Sequence, residues 1–431
     1  MTIVPPVLVL VLAGGKSERL HTLGRVRTAP ALSFGGKYRV IDFTLSNCVH
    51  SGLTRIGVLT QYAPQSLHGH IGIGRAWDLD RRDGGIQLLQ PYVRQRATNW
   101  YRGTADALVQ NRNVIEDAHA RHILVLSGDL IYKMDYGDIV RFHEERGVAL
   151  TMVTVAAPAT ERDRYGYVTV QDGYRITALR EKPKNPDGGI VSAAIYLFRA
   201  RDLIERLSDP GMGPDLVADV IEPMIREGAG VAAYPHRDYW RDIGTIDAYY
   251  AANMDLVRPV PPLNLHDPDW LIFTPSQDRS PAFLGGGSDV VGSLLAHGSR
   301  IEGAVRRSVI SPGVQVGAGA VVEDSIILHD TRILPGARVV RSIVDKRVRI
   351  GENAVVGVGE SRPHREHPRD LHSGLCLVGK GAEIPASAQI GTNVMIELGV
   401  RESDFESAAV PSGATVRPQP VGGVARGGSR R

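Results

Sequence analysis

The segment Leu12-Ala13-Gly14-Gly15-Lys16-Ser17-Glu18-Arg19-Leu20 sets two adjacent glycines among charged side chains, directly after the apolar run 7–13. Glycines at such a place let backbone N–H groups face a phosphate chain closely, and Arg19 adds a fixed charge. A glycine pair alone would also serve as a plain turn. The neighbouring charges favour a phosphate grip: between Gly14 and Arg39 six cations (Lys16, Arg19, Arg25, Arg27, Lys37, Arg39) face one acid, Glu18. Asp129 follows another apolar run, 123–127. The carboxyl ends of buried parallel strands are where ligands gather, although an Asp at such a place can also be a helix N-cap.

These residues need a frame. Short apolar runs at 7–13, 56–60, 123–127, 150–156, 193–198 and 231–234 alternate with amphipathic stretches such as 105–118 and 136–146. That pattern predicts a mainly parallel sheet covered by helices on both faces, a Rossmann-like α/β domain. A Pro-rich link, Arg258-Pro259-Val260-Pro261-Pro262, ends it. Beyond an irregular stretch, Ile310, Val316, Val322, Leu328, Leu334 and Val340 recur every six residues, with a break at Lys346. A second series is Val378, Ile384, Ile390 and Ile396. Period six fits neither a helix nor an alternating strand, but it fits the coils of a parallel β-helix. The expected organisation is a first domain over 1–258, a linker over 259–291, a β-helix over 292–416 and a disordered basic tail over 417–431. No long inserted loop is evident among the coils.

Composition narrows the function. With 431 residues, a net charge of +3 and 43% hydrophobic residues, the chain suits two globular domains and gives no global sign of nucleic acid or membrane binding. The two cysteines, Cys48 and Cys376, read as reduced thiols, and cleaving the apolar start as a leader would destroy the Gly-rich loop. A cytoplasmic protein is expected.

The segments Phe34-Gly35-Gly36-Lys37-Tyr38-Arg39-Val40-Ile41-Asp42-Phe43 and Asn99-Trp100-Tyr101-Arg102-Gly103-Thr104-Ala105-Asp106-Ala107 carry a resemblance. With the stretches 45–48, 59–62, 127–136, 181–183 and 239–245, in that order, the chain resembles the ADP-glucose pyrophosphorylases (glucose-1-phosphate adenylyltransferases), bacterial type. The resemblance implies a left-handed β-helix behind the nucleotidyltransferase domain. It also implies a reaction joining glucose 1-phosphate, or a related hexose 1-phosphate, to ATP with release of pyrophosphate, for glycogen- or starch-type glucan synthesis. Arg19 and Asp129 would be catalytic, and Asp129 and Asp242 would hold Mg²⁺. Gly14, Gly15, Gln61 and Gly103 would bind the nucleotide. Tyr101, Gly166, Glu181, Lys182 and Ser192 would bind the sugar phosphate. From the residues alone, Asp242 could equally sit in a surface ion pair and Lys182 be a solvated loop charge. The family also implies effector sites between the domains and a homotetramer, or a mixed oligomer with a paralogue.

The chain departs from the family pattern at several positions. Ala29 stands where a catalytic-loop lysine is usual, with Lys16, Arg25 and Lys37 as possible substitutes. Ser17 and Ala194 replace glycines, Ala218 replaces a lysine, and Val26 takes the place of an activator-binding lysine. Ala29 motivates a second reading, a weakly active or non-catalytic regulatory subunit. A third, in which the β-helix is an acyltransferase, has only His297 and His329 as nominal bases.

Overall fold

The computed structural model describes residues 6–91, 100–186 and 189–419. All six apolar runs enter one nine-stranded sheet. Its strands are β1 (Val7–Leu12), β2 (Arg55–Leu59), β3 (Gly85–Leu89), β4 (His122–Ser127), β5 (Leu150–Ala156), β6 (Gly166–Gln171), β7 (Arg175–Glu181), β8 (Ile190–Arg199) and β9 (Val231–Pro235). They lie in the order β3-β2-β1-β4-β8-β5-β9-β7-β6. β1 to β4 are parallel and β9 is parallel to β5, whereas β8 runs antiparallel to both β4 and β5. The parallel half carries the near-continuous apolar strands, such as β1, that burial on both faces requires.

Of the helices that cover the sheet, α1 is Val40–His50. The stretch expected to be helical over 105–118 divides into α2 (Thr104–Gln110) and α3 (Arg112–Asp117). Asn111 stands at the break, its Nδ2 donating to the carbonyl of Ala107 (2.9 Å) and to the hydroxyl of Tyr101 (3.0 Å). The stretch 136–146 is α4 (Tyr136–Arg146), started by Asp135, which accepts from Gly137 N–H (2.7 Å), and ended by Gly147 at φ 60°.

The second domain is a left-handed parallel β-helix of three sheets. Its first strand is Phe283–Leu284, so residues from 283 on, expected in the linker, belong to the coils. Gln315, Arg332 and Arg349 stack in register, 17 residues apart. A coil of 17 rather than 18 explains why the strict period of six fails. Val322 is followed by Ile327, and Val339 by Val344, as the next inward residue. The shortened corner is taken by Arg307, Asp324 and Arg341, each at a φ between 43° and 47°. The repeat therefore does not break at Lys346: Ile350 and Val356 continue it two residues earlier than a strict period of six would place them. A long insertion, residues 357–375, does interrupt the coils between Val355–Val356 and Cys376–Val378, contrary to expectation. It reaches the first domain, where Ser373 Oγ donates to Asp247 (2.5 Å).

Two of the sheets point charged or polar residues outward. The third is buried on both faces. Ile310, Ile327, Val344, Val378 and Ile396 fill the β-helix, while Val309, Ile326, Ile343, Leu377 and Met395 pack on Leu20, Leu23, Ile246 and Tyr249 of the first domain.

Candidate active site

The Gly-rich loop crosses the carboxyl end of β1, and a cleft of about 620 Å³ opens beneath it. Gly14, Gly15, Arg19, Gln61, Tyr101, Gly103 and Asp129 all line it, as does Lys16. Two glycines are fixed by close approach. A Cβ on Gly14 would lie 3.0 Å from Gln61 Cβ, and one on Gly103 would lie 2.4 Å from the carbonyl oxygen of Pro214. Gln61 clasps the Tyr101 backbone, accepting from its N–H (2.5 Å) and donating to its carbonyl (3.2 Å). Its amide thus holds the 101–103 turn while the side chain forms the cleft wall.

Asp129 follows β4 and leads into the strand Leu130–Tyr132, which pairs antiparallel with Trp240–Asp242. This ribbon brings Asp129 and Asp242 together, with Ile243 N–H donating to the Asp129 carbonyl (3.3 Å). Asp129 is not a helix cap; its carboxylate accepts from Ser127 Oγ. Burial, and then the charge of Asp242, push its carboxyl up to about 6. Asp242 accepts from Gly244 N–H (2.6 Å) and from Arg164 Nη2 (3.0 Å). It is ion-paired, as its plainer reading allowed, but partly buried beside Asp129 rather than on an open surface. Two neighbouring carboxylates, one destabilised by the other, form the oxygen donor set that a hard divalent cation neutralises.

Gly166, Glu181, Lys182 and Ser192 form a separate group. Gly166 lies opposite Glu181 in the β6–β7 ladder, where a Cβ would meet Glu181 Oε2 at 2.6 Å. Lys182 is mostly exposed, pairs with Glu181 (2.9 Å) and has a φ of 45°. Ser192 Oγ bonds the Tyr196 hydroxyl (2.9 Å). Arg164 joins the two groups: it precedes Tyr165 and Gly166 in the chain and holds Asp242. Sequence reasoning missed Arg164, because Glu161-Arg162-Asp163-Arg164 reads as a solvated charge run.

Residues 8–258 match the family model for nucleotidyl transferases, and residues 285–378 match that for the GlmU-like C-terminal hexapeptide. The glucose-1-phosphate adenylyltransferase of Thermomicrobium roseum is 47% identical over 96% of this chain and 98% of its own. The enzyme of the same name from Thermotoga neapolitana is 42% identical over 96% and 99%. That from Acetivibrio thermocellus is 39% identical over 95% and 97%. The chain belongs to the glucose-1-phosphate adenylyltransferase family.

Against that family pattern, the departures acquire a geometry. Ser17 and Ala29 touch: the Ser17 hydroxyl accepts the Ala29 N–H (2.9 Å) at the cleft wall. Of the six loop cations only Lys16 and Arg19 line the cleft. Arg25 donates to Glu397 of the β-helix (2.7 Å), and Arg27 makes a buried bidentate pair with Asp345 (2.8 Å for both bonds). Lys37 lies over the Tyr38 ring, and Arg39 donates to the carbonyl of Ser66 (2.6 Å). Of Lys16, Arg25 and Lys37, only Lys16 lines the cleft, with its ammonium 2.8 Å from Glu18. Ala194 sits in the β8 bulge at φ 57°, which accounts for the family glycine there. Val26 is 40% exposed, and Ala218 is exposed with its N–H on Asp215 (2.9 Å). Among the described residues, no helix is long and apolar enough to cross a membrane.

Proposed function

We propose that this chain transfers the adenylyl group of ATP to glucose 1-phosphate. An oxygen of the sugar phosphate attacks the α-phosphorus in line, forming the new P–O–P bond as the bond to the β-phosphate oxygen breaks and pyrophosphate leaves. The step supplies an activated glucosyl donor for glucan synthesis. The observation that carries this reading is Asp129 in the cleft under the Gly-rich loop with Asp242 beside it, and Arg164 linking Asp242 to the strand where Gly166 lies opposite Glu181.

Asp129 and Asp242 would hold Mg²⁺, which when bound neutralises the phosphate oxygens between which the bond is exchanged. Backbone N–H groups at Gly14 and Gly15 grip the triphosphate, and Arg19 supplies fixed charge. Arg19 has no ion-pair partner among the described residues. Gln61 and Gly103 shape the wall that receives the base, and Tyr101, on the same cleft wall, reaches toward the sugar phosphate. Lys182 meets the phosphate of the sugar phosphate, Glu181 accepts sugar hydroxyls, and Gly166 and Ser192 leave room for the ring. Catalysis here consists of positioning and charge neutralisation, so it needs no covalent intermediate. Exposed Phe283, Leu284 and Val291 at the first coil support a homo-oligomer, which we read as a tetramer.

The test is pyrophosphate release across a panel of nucleoside triphosphates and hexose 1-phosphates with Mg²⁺. ATP with glucose 1-phosphate is expected to lead the panel. No release above background with any pair would sink the reading.

A further inference from the structure

The insertion in the β-helix and the segment after the Gly-rich loop meet at a cluster that the transfer reaction does not use. His21, His367 and Asp370 each offer one ligand atom, and these atoms all lie within 4.8 Å of one another. His21 Nε2 is already 3.0 Å from Asp370 Oδ2, and the His21 and His367 ring centroids are 4.3 Å apart. Two imidazoles and a carboxylate are a ligand set of the zinc class. Bonds of about 2.0–2.1 Å place tetrahedral ligand atoms about 3.3 Å apart, so only a small closure is needed.

The surroundings prepare these groups for a metal. His21 is held at φ 45° and ψ −124°, inside the short helix Glu18–Leu23, a backbone state that side-chain-bearing residues rarely adopt. A neighbouring histidine, His364, is fully engaged and acts as a brace. Its Nδ1 accepts from His367 N–H (3.0 Å) and its Nε2 bonds Thr415 (3.0 Å), which fixes the loop that presents His367. Arg25, a fixed cation close enough to act on His21, is paired with Glu397. Asp370 is 34% exposed, so solvent reaches the cluster from that side.

We infer that His21, His367 and Asp370 form a zinc-class site that fastens the β-helix insertion to the segment carrying Arg19. The site is separate from the Asp129–Asp242 pair and differs from it in chemistry, since imidazole ligands select zinc over magnesium.

Co²⁺ titrated into the full-length protein in excess Mg²⁺ reads the site directly. The expected result is one equivalent bound, with the visible bands of four- or five-coordinate cobalt, displaced by stoichiometric Zn²⁺. Zinc is also expected to raise the thermal transition. His367→Ala and Asp370→Asn are expected to weaken binding at least about 100-fold and to abolish both the bands and the zinc-dependent shift. Neither residue lies in the transfer site, so both variants should keep wild-type pyrophosphate release in Mg²⁺ alone. Absence of stoichiometric binding by the wild type would overturn the inference. So would an unchanged spectrum in His367→Ala, whose side chain lies on the insertion, where its loss leaves the core intact.

Discussion

At the scale of single residues, Asp129 shows what the site costs the fold. Its carboxyl is raised by burial and by Asp242, so the folded protein binds a proton there more tightly than the unfolded chain does. Raising pH from the ordinary carboxylate range through about 6 therefore removes stability from the metal-free protein. Asp129→Asn is expected to lower kcat by about 10³-fold or more and yet to stabilise the metal-free protein at pH 8 by about 1–3 kcal/mol. Calorimetry and turnover on the same sample check both signs. Ala194→Gly relieves a left-handed alanine and should add about 0.5–1 kcal/mol in urea unfolding. Lys16→Ala is expected to cost on the order of 10² in kcat. Ala29→Lys should restore most of that loss, because both ammonium groups would enter the same cleft. The place of Asp129 in the cleft was legible because it directly follows an apolar run, at the carboxyl end of a buried strand. Arg164 was not, because only the folded ribbon brings Asp242 to it.

At the scale of elements, the strands were legible as apolar runs, and α4 was legible to the residue because Asp135 and Gly147 mark its ends. The β-helix was legible in kind but not in register. A period of six and a coil of 17 agree for two steps and then slip by one residue in every coil, and the corner responsible is built from arginine and aspartate rather than glycine. The insertion was hidden because Ile350 and Val356 had been lost from the count. The elements also carry a titration. In α4, His143 is pushed down to about 3, chiefly by burial and then by His122 and Arg199. It stays neutral in the fold while the unfolded chain takes up a proton near 6.5, so stability falls as pH drops below that value. Urea midpoints between pH 7 and 5 should show this slope, at most about 1.4 kcal/mol per pH unit from this group. His143→Gln should remove it.

At the scale of the whole molecule, the two domains share a buried interface. The pair Arg27–Asp345 crosses between them with both side chains 3% exposed or less. Asp345→Ala would strand a buried guanidinium, and is expected to cost about 3–5 kcal/mol and to split one calorimetric transition into two. Arg27→Met with Asp345→Leu should recover most of the loss, since an apolar pair needs no desolvation.

The row Val309, Ile326, Ile343, Leu377 and Met395 adds about 1.5–3 kcal/mol for each side chain buried against the first domain. That row also sets an order in time. The nucleotidyltransferase part leaves the ribosome first, with the seat formed by Leu20, Leu23, Ile246 and Tyr249 bare. At typical synthesis rates the remaining coils follow over roughly 10–30 s, each sealing one more strip of that seat. Throughout that interval the nascent chain presents an oily strip to water or to a chaperone, and a premature stop between residues 258 and 395 would leave part of it bare.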